Sequence, residues 1–395
     1  MESSQTKIKI KDTVSPLSPY IELSLDNLLY NLSVIKAKAP SKTRVLAVVK
    51  DCAYGLGSGP VALTLEQKGN VDFFAVARPE EAFALRNAGV KGSVLVLGRA
   101  TEEQLQAGFD NNIIFTLNDP AELYKWKSYP LNVRFHVNID TGMSRMGLLP
   151  GELDEMADIL ENTPSLRLEG AFTHMACADE PNTPTVQLQY EKFKKCIVNL
   201  CEKNQPPLHI HYSNSASCMR FPVQECTLIR PGIALYGCNP DPLQTFTPDL
   251  KQVASLKSRV VKMKKVPPGT PVSYGGNYIT PCETWIATIP LGYAHGYPRF
   301  LSSRGEVLIG YRRYRIAGNV TMDYIMVDAG PNPDISIGDE VVAIGTQGDD
   351  TITADEIAVL GNTIGYEILC NLGKSIDRVY LLDNKIVYHK SGYNF

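Results

Sequence analysis

The chain has 395 residues, 44% of them hydrophobic and 21% charged, with a formal net charge of -3. That length allows two domains with a large core. So slight a charge argues against nucleic acid or an anionic membrane surface as a partner. No apolar run is long enough to span a bilayer. The N-terminus, MESSQTKIKIKD, lacks an apolar signal core, so a cytoplasmic location is expected. The nine cysteines are scattered without a CxxC pair, which fits free thiols and argues against a metal site.

Residues 1–19 read as a loose polar extension. Eight short apolar runs follow: Val45–Val49, Phe73–Ala77, Val94–Leu97, Ile113–Leu117, Val133–Ile139, Leu168–Phe172, Leu208–Tyr212 and Thr227–Ile229. Helical patterns such as Glu80–Asn87 and Val186–Asn204 lie between them. Eight strands alternating with helices predict a (β/α)8 barrel over 20–250. A doubly wound open sheet is the competitor, and no GxGxxG follows the first strand to support it. From about residue 251 onward the texture is all-β. Its strands are read at Thr284–Ile289, Glu306–Ile309, Tyr314–Ile316, Tyr324–Val327, Glu340–Ile344 and Arg378–Leu382, with one helical patch at Ala354–Leu360. The expected architecture is therefore a barrel followed by a C-terminal β domain over 251–395.

In such a barrel, chemistry gathers where strands end and βα loops begin. Lys50 is read as ending the first strand, in VLAVVKDCAYGLG, and Tyr54 follows it. An amine at the end of a buried strand is partly desolvated and becomes a usable nucleophile or base. Arg145 follows strand five, His174 ends strand six, Ser213, Asn214 and Ser215 follow strand seven, and Arg230, Gly232 and Ile233 follow strand eight. The last two loops are where barrels of this kind hold a phosphate. A serine hydroxyl and glycine-flanked backbone N–H groups suit that role. Taken singly, each residue has an ordinary role open to it: a surface ion pair for Arg145, a helix N-cap for Ser215, a packed barrel histidine for His174. Together, a strand-end lysine and a phosphate cradle suggest pyridoxal phosphate held as a Schiff base.

These residues resemble the alanine racemase family. The blocks VVKDCAYGLG, IDTGMSRMG, FTHMACADE, NSAS, RPGIALYG, VSYGGNY, GYAHGYPR, TMDYIMVD and GYEILC occur in the family's order. The resemblance implies a homodimeric racemase of a free amino acid, alanine foremost, using pyridoxal 5'-phosphate. It implies Lys50 as the Schiff-base lysine and one catalytic base, with Tyr293 as the other, supplied by the partner subunit. It implies Arg230 opposite the pyridine nitrogen with His174 beside it, and Arg145 near the cofactor's phenolic oxygen and the substrate. Tyr54, Ser215, Gly232, Ile233 and Tyr366 match the phosphate contacts, and Met322, beside Asp323, the backbone N–H that meets the substrate carboxylate.

Several residues depart from the family's pattern. Asn138 stands where many members carry a lysine that becomes carbamylated, so a bound anion such as chloride is expected near Asn138 and Arg145. His295 replaces the aspartate of GYADGY, Asp51-Cys52 an Ala-Asn pair, and Leu56 a histidine. The alternatives are a serine or broad-specificity racemase, a decarboxylase on the same architecture, and a non-catalytic cofactor carrier of a single barrel.

Overall fold

The computed structural model describes residues 14–392 except 16, 130, 131, 182, 204, 222, 224 and 244. Most of the extension read over 1–19, and Asn204 at the end of an expected helix, lie outside them. The chain divides into two compact units. One comprises Leu29–Leu235 and Asn239–Leu250, and the other takes the N-terminal stretch up to Leu28, Tyr236–Cys238 and the chain from Lys251 onward.

Strand β1 (Tyr20–Ser24) belongs to the second unit. The first is built on β2 (Arg44–Val48), β3 (Phe73–Val76), β4 (Ser93–Val96), β5 (Ile113–Leu117), β6 (Val133–Asn138), β7 (Leu166–Phe172), β8 (His209–His211) and β9 (Leu228–Ile229). Their runs of Val, Ile, Phe and Leu suit strands buried on both faces, and FFAV and IIFTL are buried at every position. Neighbours pair in parallel in chain order, and β9 returns to β2 with Arg44 opposite Leu228. Between β8 and β9, Thr227 N donates to Ile210 O and Arg230 N to Ser213 O, both at 2.8 Å. The eight-stranded barrel is thereby nearly closed.

Two of the helices between the strands start on clear side-chain caps. Thr101 Oγ1 accepts from Gln104 N ahead of Glu102–Asp110, and Asp119 Oδ1 accepts from Ala121 N ahead of Pro120–Trp126. Such caps satisfy donors that the first helical turn leaves open. Phe135 on β6 is wholly buried, edge-on to Trp126 at 5.7 Å between ring centroids.

The second unit carries β10 (Ala254–Arg259), β11 (Lys262–Val266), β12 (Pro271–Val272), β13 (Tyr278–Ile279), β14 (Thr284–Ile289), β15 (Glu306–Ile309), β16 (Arg312–Arg315), β17 (Ile325–Asp328), β18 (Glu340–Gln347), β19 (Asp350–Ile352), β20 (Asp377–Leu382) and β21 (Lys385–Lys390). Its main sheet runs β16-β15-β18-β10-β1-β20-β21, β19 adding to β18, and β11-β14-β17 form a smaller sheet. β15 and β16 meet through a two-residue loop in which Gly310 and Tyr311 both have positive φ (56° and 66°), the backbone that matches hairpin twist.

Three expectations change. The barrel does not begin at residue 20, because β1 pairs antiparallel with β10 and parallel with β20. The β unit has two helices rather than one, Ala354–Gly361 and Gly365–Cys370. Lys50 does not end a strand: β2 stops at Val48 and Lys50 opens the next turn. Among the described residues, no helix is long and apolar enough to cross a membrane.

Replacing Phe135 with alanine is expected to lower unfolding stability by about 3–5 kcal/mol, the cost of an aromatic-sized void in a packed core. Urea denaturation followed by tryptophan fluorescence measures it, and a loss below about 1 kcal/mol would contradict the packing described.

Candidate active site

The backbone around Lys50 is unusual. Asp51, Cys52, Ala53 and Tyr54 have φ of 51°, 59°, 53° and 56°, a single left-handed helical turn built from L-residues, and Gly55 follows at 87°. Each non-glycine residue in that region costs roughly 1–2 kcal/mol. The turn is held from within and without. Ala53 N donates to Val49 O and Gly55 N to Asp51 O, both at 2.9 Å, and Gly57 N to Cys52 O at 2.7 Å. The Glu81 carboxylate accepts from Asp51 N at 2.5 Å, Ala77 N at 2.8 Å and Arg78 N at 3.0 Å. One side chain therefore ties the turn to the start of helix Pro79–Asn87. The result sets Lys50, half-buried, at the C-terminal end of the barrel strands and buries Tyr54.

Tyr54 meets the loops after β8 and β9. A Cβ on Gly232 would run into Tyr54 Oη, so any larger residue there must displace the tyrosine. Ser215 Oγ accepts from Gly232 N at 2.8 Å and Ala234 N at 3.4 Å. Having taken those N–H bonds, the hydroxyl keeps its own hydrogen to donate. Asn214 caps the turn by accepting from Ser217 N at 2.9 Å. Tyr54, Ser215, Gly232 and the buried Ile233 thus converge, and the Ser215 hydroxyl hydrogen is a donor that suits a phosphate. Tyr366 lies in the other unit, on helix Gly365–Cys370.

Arg230 is buried, and every acceptor it reaches is neutral. Its Nη1 donates to His211 O at 2.8 Å and lies 2.9 Å from His211 Nδ1. Its Nη2 donates to Thr173 O at 2.8 Å and Tyr212 O at 3.3 Å, and lies 3.4 Å from His174 Nδ1. Burial, with Arg145 adding repulsion, lowers the Arg230 pKa to about 10, so it stays charged at neutral pH. Because a guanidinium only donates, His211 Nδ1 must accept. His211 then carries its proton on Nε2 and donates it to His136 Nδ1 at 2.8 Å. That leaves His136 Nε2 protonated, buried and without a partner among the described residues. Burial first, then the Arg230, Arg145 and Lys50 cations, push His174 down to about 3. Burial likewise takes His136 to about 3 and His211 well below its ordinary value.

Arg145 is exposed on the loop after β6. Asp140 Oδ1 holds that loop by accepting from Gly142, Met143 and Ser144 N at 2.9–3.1 Å. Asn138 Nδ2 donates to Asn118 Oδ1 at 2.9 Å and Met146 O at 3.1 Å. In the β unit, Tyr293 and Met322 are 44% and 54% exposed. Backbone bonds join their two loops: Tyr293 N donates to Thr321 O at 3.0 Å and Ala294 N to Met322 O at 3.1 Å. His295 Nδ1 accepts from Gly292 N at 3.1 Å, and burial lowers its pKa against the pull of Asp323.

The structure brings Lys50, Tyr54, Arg145, His174, Ser215, Arg230, Gly232 and Ile233 to one end of the barrel, and holds Tyr293 and Met322 together on the β unit. Sequence reasoning missed His211, His136 and Glu81. The alternating HIH of β8 was a usable signal for His211, since residues two apart share a face.

The buried histidines give stability a pH dependence of defined sign. His136, His174 and His211 are neutral in the folded protein, while in the unfolded chain they titrate near ~6.5. Below about pH 6.5 the unfolded chain binds more protons, so stability falls as pH drops toward 3, by up to ~1.4 kcal/mol per pH unit for each histidine. Above about pH 7 their contribution is complete. Urea midpoints from pH 4.5 to 7.5 check this, and a level profile would overturn the neutral assignment.

Two domain profiles match the chain: alanine racemase, N-terminal domain, over residues 23–240, and alanine racemase, C-terminal domain, over 253–380. The alanine racemase of Halothermothrix orenii is 38% identical over 371 residues, 93% of this chain and 97% of its own length. Alanine racemase 2 of Bacillus subtilis is 38% identical over 378 residues, 93% and 95% of the two chains. The crystal structure of alanine racemase from Bacillus anthracis with bound L-Ala-P superposes with a TM-score of 0.87 at 34% identity, covering 95% and 98% of the two chains. Fold, site and similarity over nearly the whole length agree: the chain belongs to the alanine racemase family of isomerases.

Proposed function

We propose that the protein interconverts L- and D-alanine with pyridoxal 5'-phosphate, working in the cytoplasm as a homodimer with shared active sites. The observation that carries this reading is Arg230, a buried cation whose partners among the described residues are all neutral, set in the same strand-end cluster as the Tyr54–Ser215–Gly232 cradle. When bound, the cofactor lowers the barrier to removing the Cα proton of an attached amino acid by spreading the resulting charge. Lys50 would hold the cofactor, and Tyr54, Ser215, Gly232, Ile233 and Tyr366 its phosphate. The uncompensated Arg230 charge disfavours a proton on a ring nitrogen facing it. Such a site restrains side reactions and favours returning the proton to carbon.

Racemisation needs a base on each face of the substrate. Lys50 is one. Among the exposed phenols of the β unit, two bear on the other. Tyr293 is the expected base, yet its loop is bonded to that of Met322, the expected carboxylate donor, which suits a phenol bonding that same carboxylate. Tyr274 is more exposed, at 76%, on a loop where Ser273, Gly275 and Gly276 all have positive φ and Asn319 Nδ2 donates to Tyr274 O at 2.7 Å. The exposure of Tyr274 and the bond that holds its backbone support it as the second reading for the base. With a neutral amide at Asn138, chloride is the partner proposed beside Arg145. A racemase preferring serine, or accepting many side chains, is the alternative.

Borohydride reduction should fix the cofactor to Lys50, and a Lys50→Ala variant that is still labelled there would refute the linkage. Tyr274→Phe and Tyr293→Phe should separate the roles. The base variant loses at least about a hundredfold in kcat, unequally between the enantiomers. The carboxylate variant chiefly raises KM. Mixing Lys50→Ala subunits with the base variant restores activity if the phenol comes from the partner. A chiral product screen over the common amino acids identifies the substrate. Gly232→Ala should weaken cofactor binding at least about tenfold, ~1.4 kcal/mol, by displacing Tyr54, as measured by cofactor titration.

A further inference from the structure

Helix Thr185–Glu202 buries Val186, Gln189, Phe193, Cys196 and Leu200 along one face. Gln189 is the polar exception in that stripe, only 2% exposed. A buried amide is costly unless it is hydrogen-bonded. Gln189 Oε1 accepts from Ala176 N at 2.9 Å, and Nε2 donates to His174 O at 2.9 Å and Thr141 Oγ1 at 3.3 Å. Bonding one residue's carbonyl and the N–H two residues on is what a neighbouring β-strand does. Here a side chain takes the strand's place, just past the end of β7. Both amide hydrogens are used, so the group cannot flip without setting N–H against N–H.

The clamp reaches further through two threonines. Thr141 Oγ1 lies 2.8 Å from Thr173 Oγ1, and Thr173 O accepts from Arg230 Nη2 at 2.8 Å. Thr141 also follows Asp140, whose carboxylate holds the loop that carries Arg145. One amide thus joins the strand-end backbone under His174, an acceptor of Arg230 and the root of the Arg145 loop.

We propose that Gln189 is a positioning residue for the reaction, fixing the backbone of 173–176 and with it the places of His174 and Arg230 around the cofactor ring. It touches neither cofactor nor substrate, and the proposal rests on the racemase reading of that site. The charged groups acting on this neighbourhood are Lys50, Arg145 and Arg230, with His174 kept neutral among them.

Two variants test it. Gln189→Leu keeps size and removes all three bonds. In the protein freed of cofactor, hydrogen exchange read by mass spectrometry over the peptide containing 173–177 should speed up at least tenfold. In the loaded enzyme, the visible absorption band of the bound cofactor should shift, and kcat should fall at least tenfold while KM for alanine changes less than threefold. Gln189→Glu introduces a carboxyl that, when protonated, still accepts from Ala176 N and donates to His174 O. When ionised it cannot donate and repels that carbonyl. This variant should therefore approach wild-type kcat at low pH and lose activity as pH rises, a limb the wild type lacks. A leucine variant with faster exchange but unchanged spectrum and kcat makes the amide merely structural and overturns the proposal. So does a glutamate variant with the wild-type pH profile, which also decides the matter if the leucine variant fails to fold. Faster exchange in a protein that racemises no amino acid would break the racemase reading while leaving the clamp in place.

Discussion

A buried guanidinium with no counter-ion among the described residues sets the terms for the rest of the barrel. Burying a charge is expensive, and where no carboxylate compensates, hydrogen bonds to neutral acceptors must do so. Arg230 draws on carbonyls from β8 and from the loops after β7 and β8, and on two imidazoles. Those strand ends are therefore fixed relative to one another by a single side chain. The same demand fixes proton positions. Arg230 forces His211 into one tautomer and His211 forces His136, so the barrel interior holds an ordered chain of imidazoles rather than a set of exchangeable ones. The orphaned His136 Nε2 is the cost of that order.

The barrel was legible because its strands are apolar runs of the right length, and all eight lie where alternation with helices placed them. The β unit was less so. β10 and β11, in ASLKSRVVKMKKV, carry enough lysine and arginine to read as loop, yet β10 buries every second residue and β11 buries Val266. β1 was not read as a strand, and only pairing with strands more than two hundred residues away places it outside the barrel expected over 20–250. The six-residue helix Gly365–Cys370 is too short to show a period. At the site, residue types at strand ends were readable, but not what holds them. Glu81 and His211 work through contacts with residues remote in sequence, and nothing local marks Glu81 as more than a helix-start carboxylate.

The left-handed turn accounts for part of the departure at Asp51-Cys52. Aspartate is among the few residues that tolerate this conformation, and here Arg78 lies 3.7 Å from its carboxylate. Cys52 is exposed at φ 59°, and nothing in the structure explains it. His295 has a clearer place. As an acceptor for Gly292 N it stiffens the Tyr293 loop, a task that aspartate can also perform by accepting the same bond.

β1 sits between β10 and β20 in the larger sheet, so the first strand to leave the ribosome is flanked by one from the middle of the chain and one from near its end. Tyr20 waits for Lys257 on one side and for Asp377 on the other. The barrel can assemble before residue 377 is made, whereas the sheet stays open along one edge of β1 until then. Nascent chains stalled short of residue 377 would thus expose an unpaired apolar strand edge, a point at which chaperone protection matters.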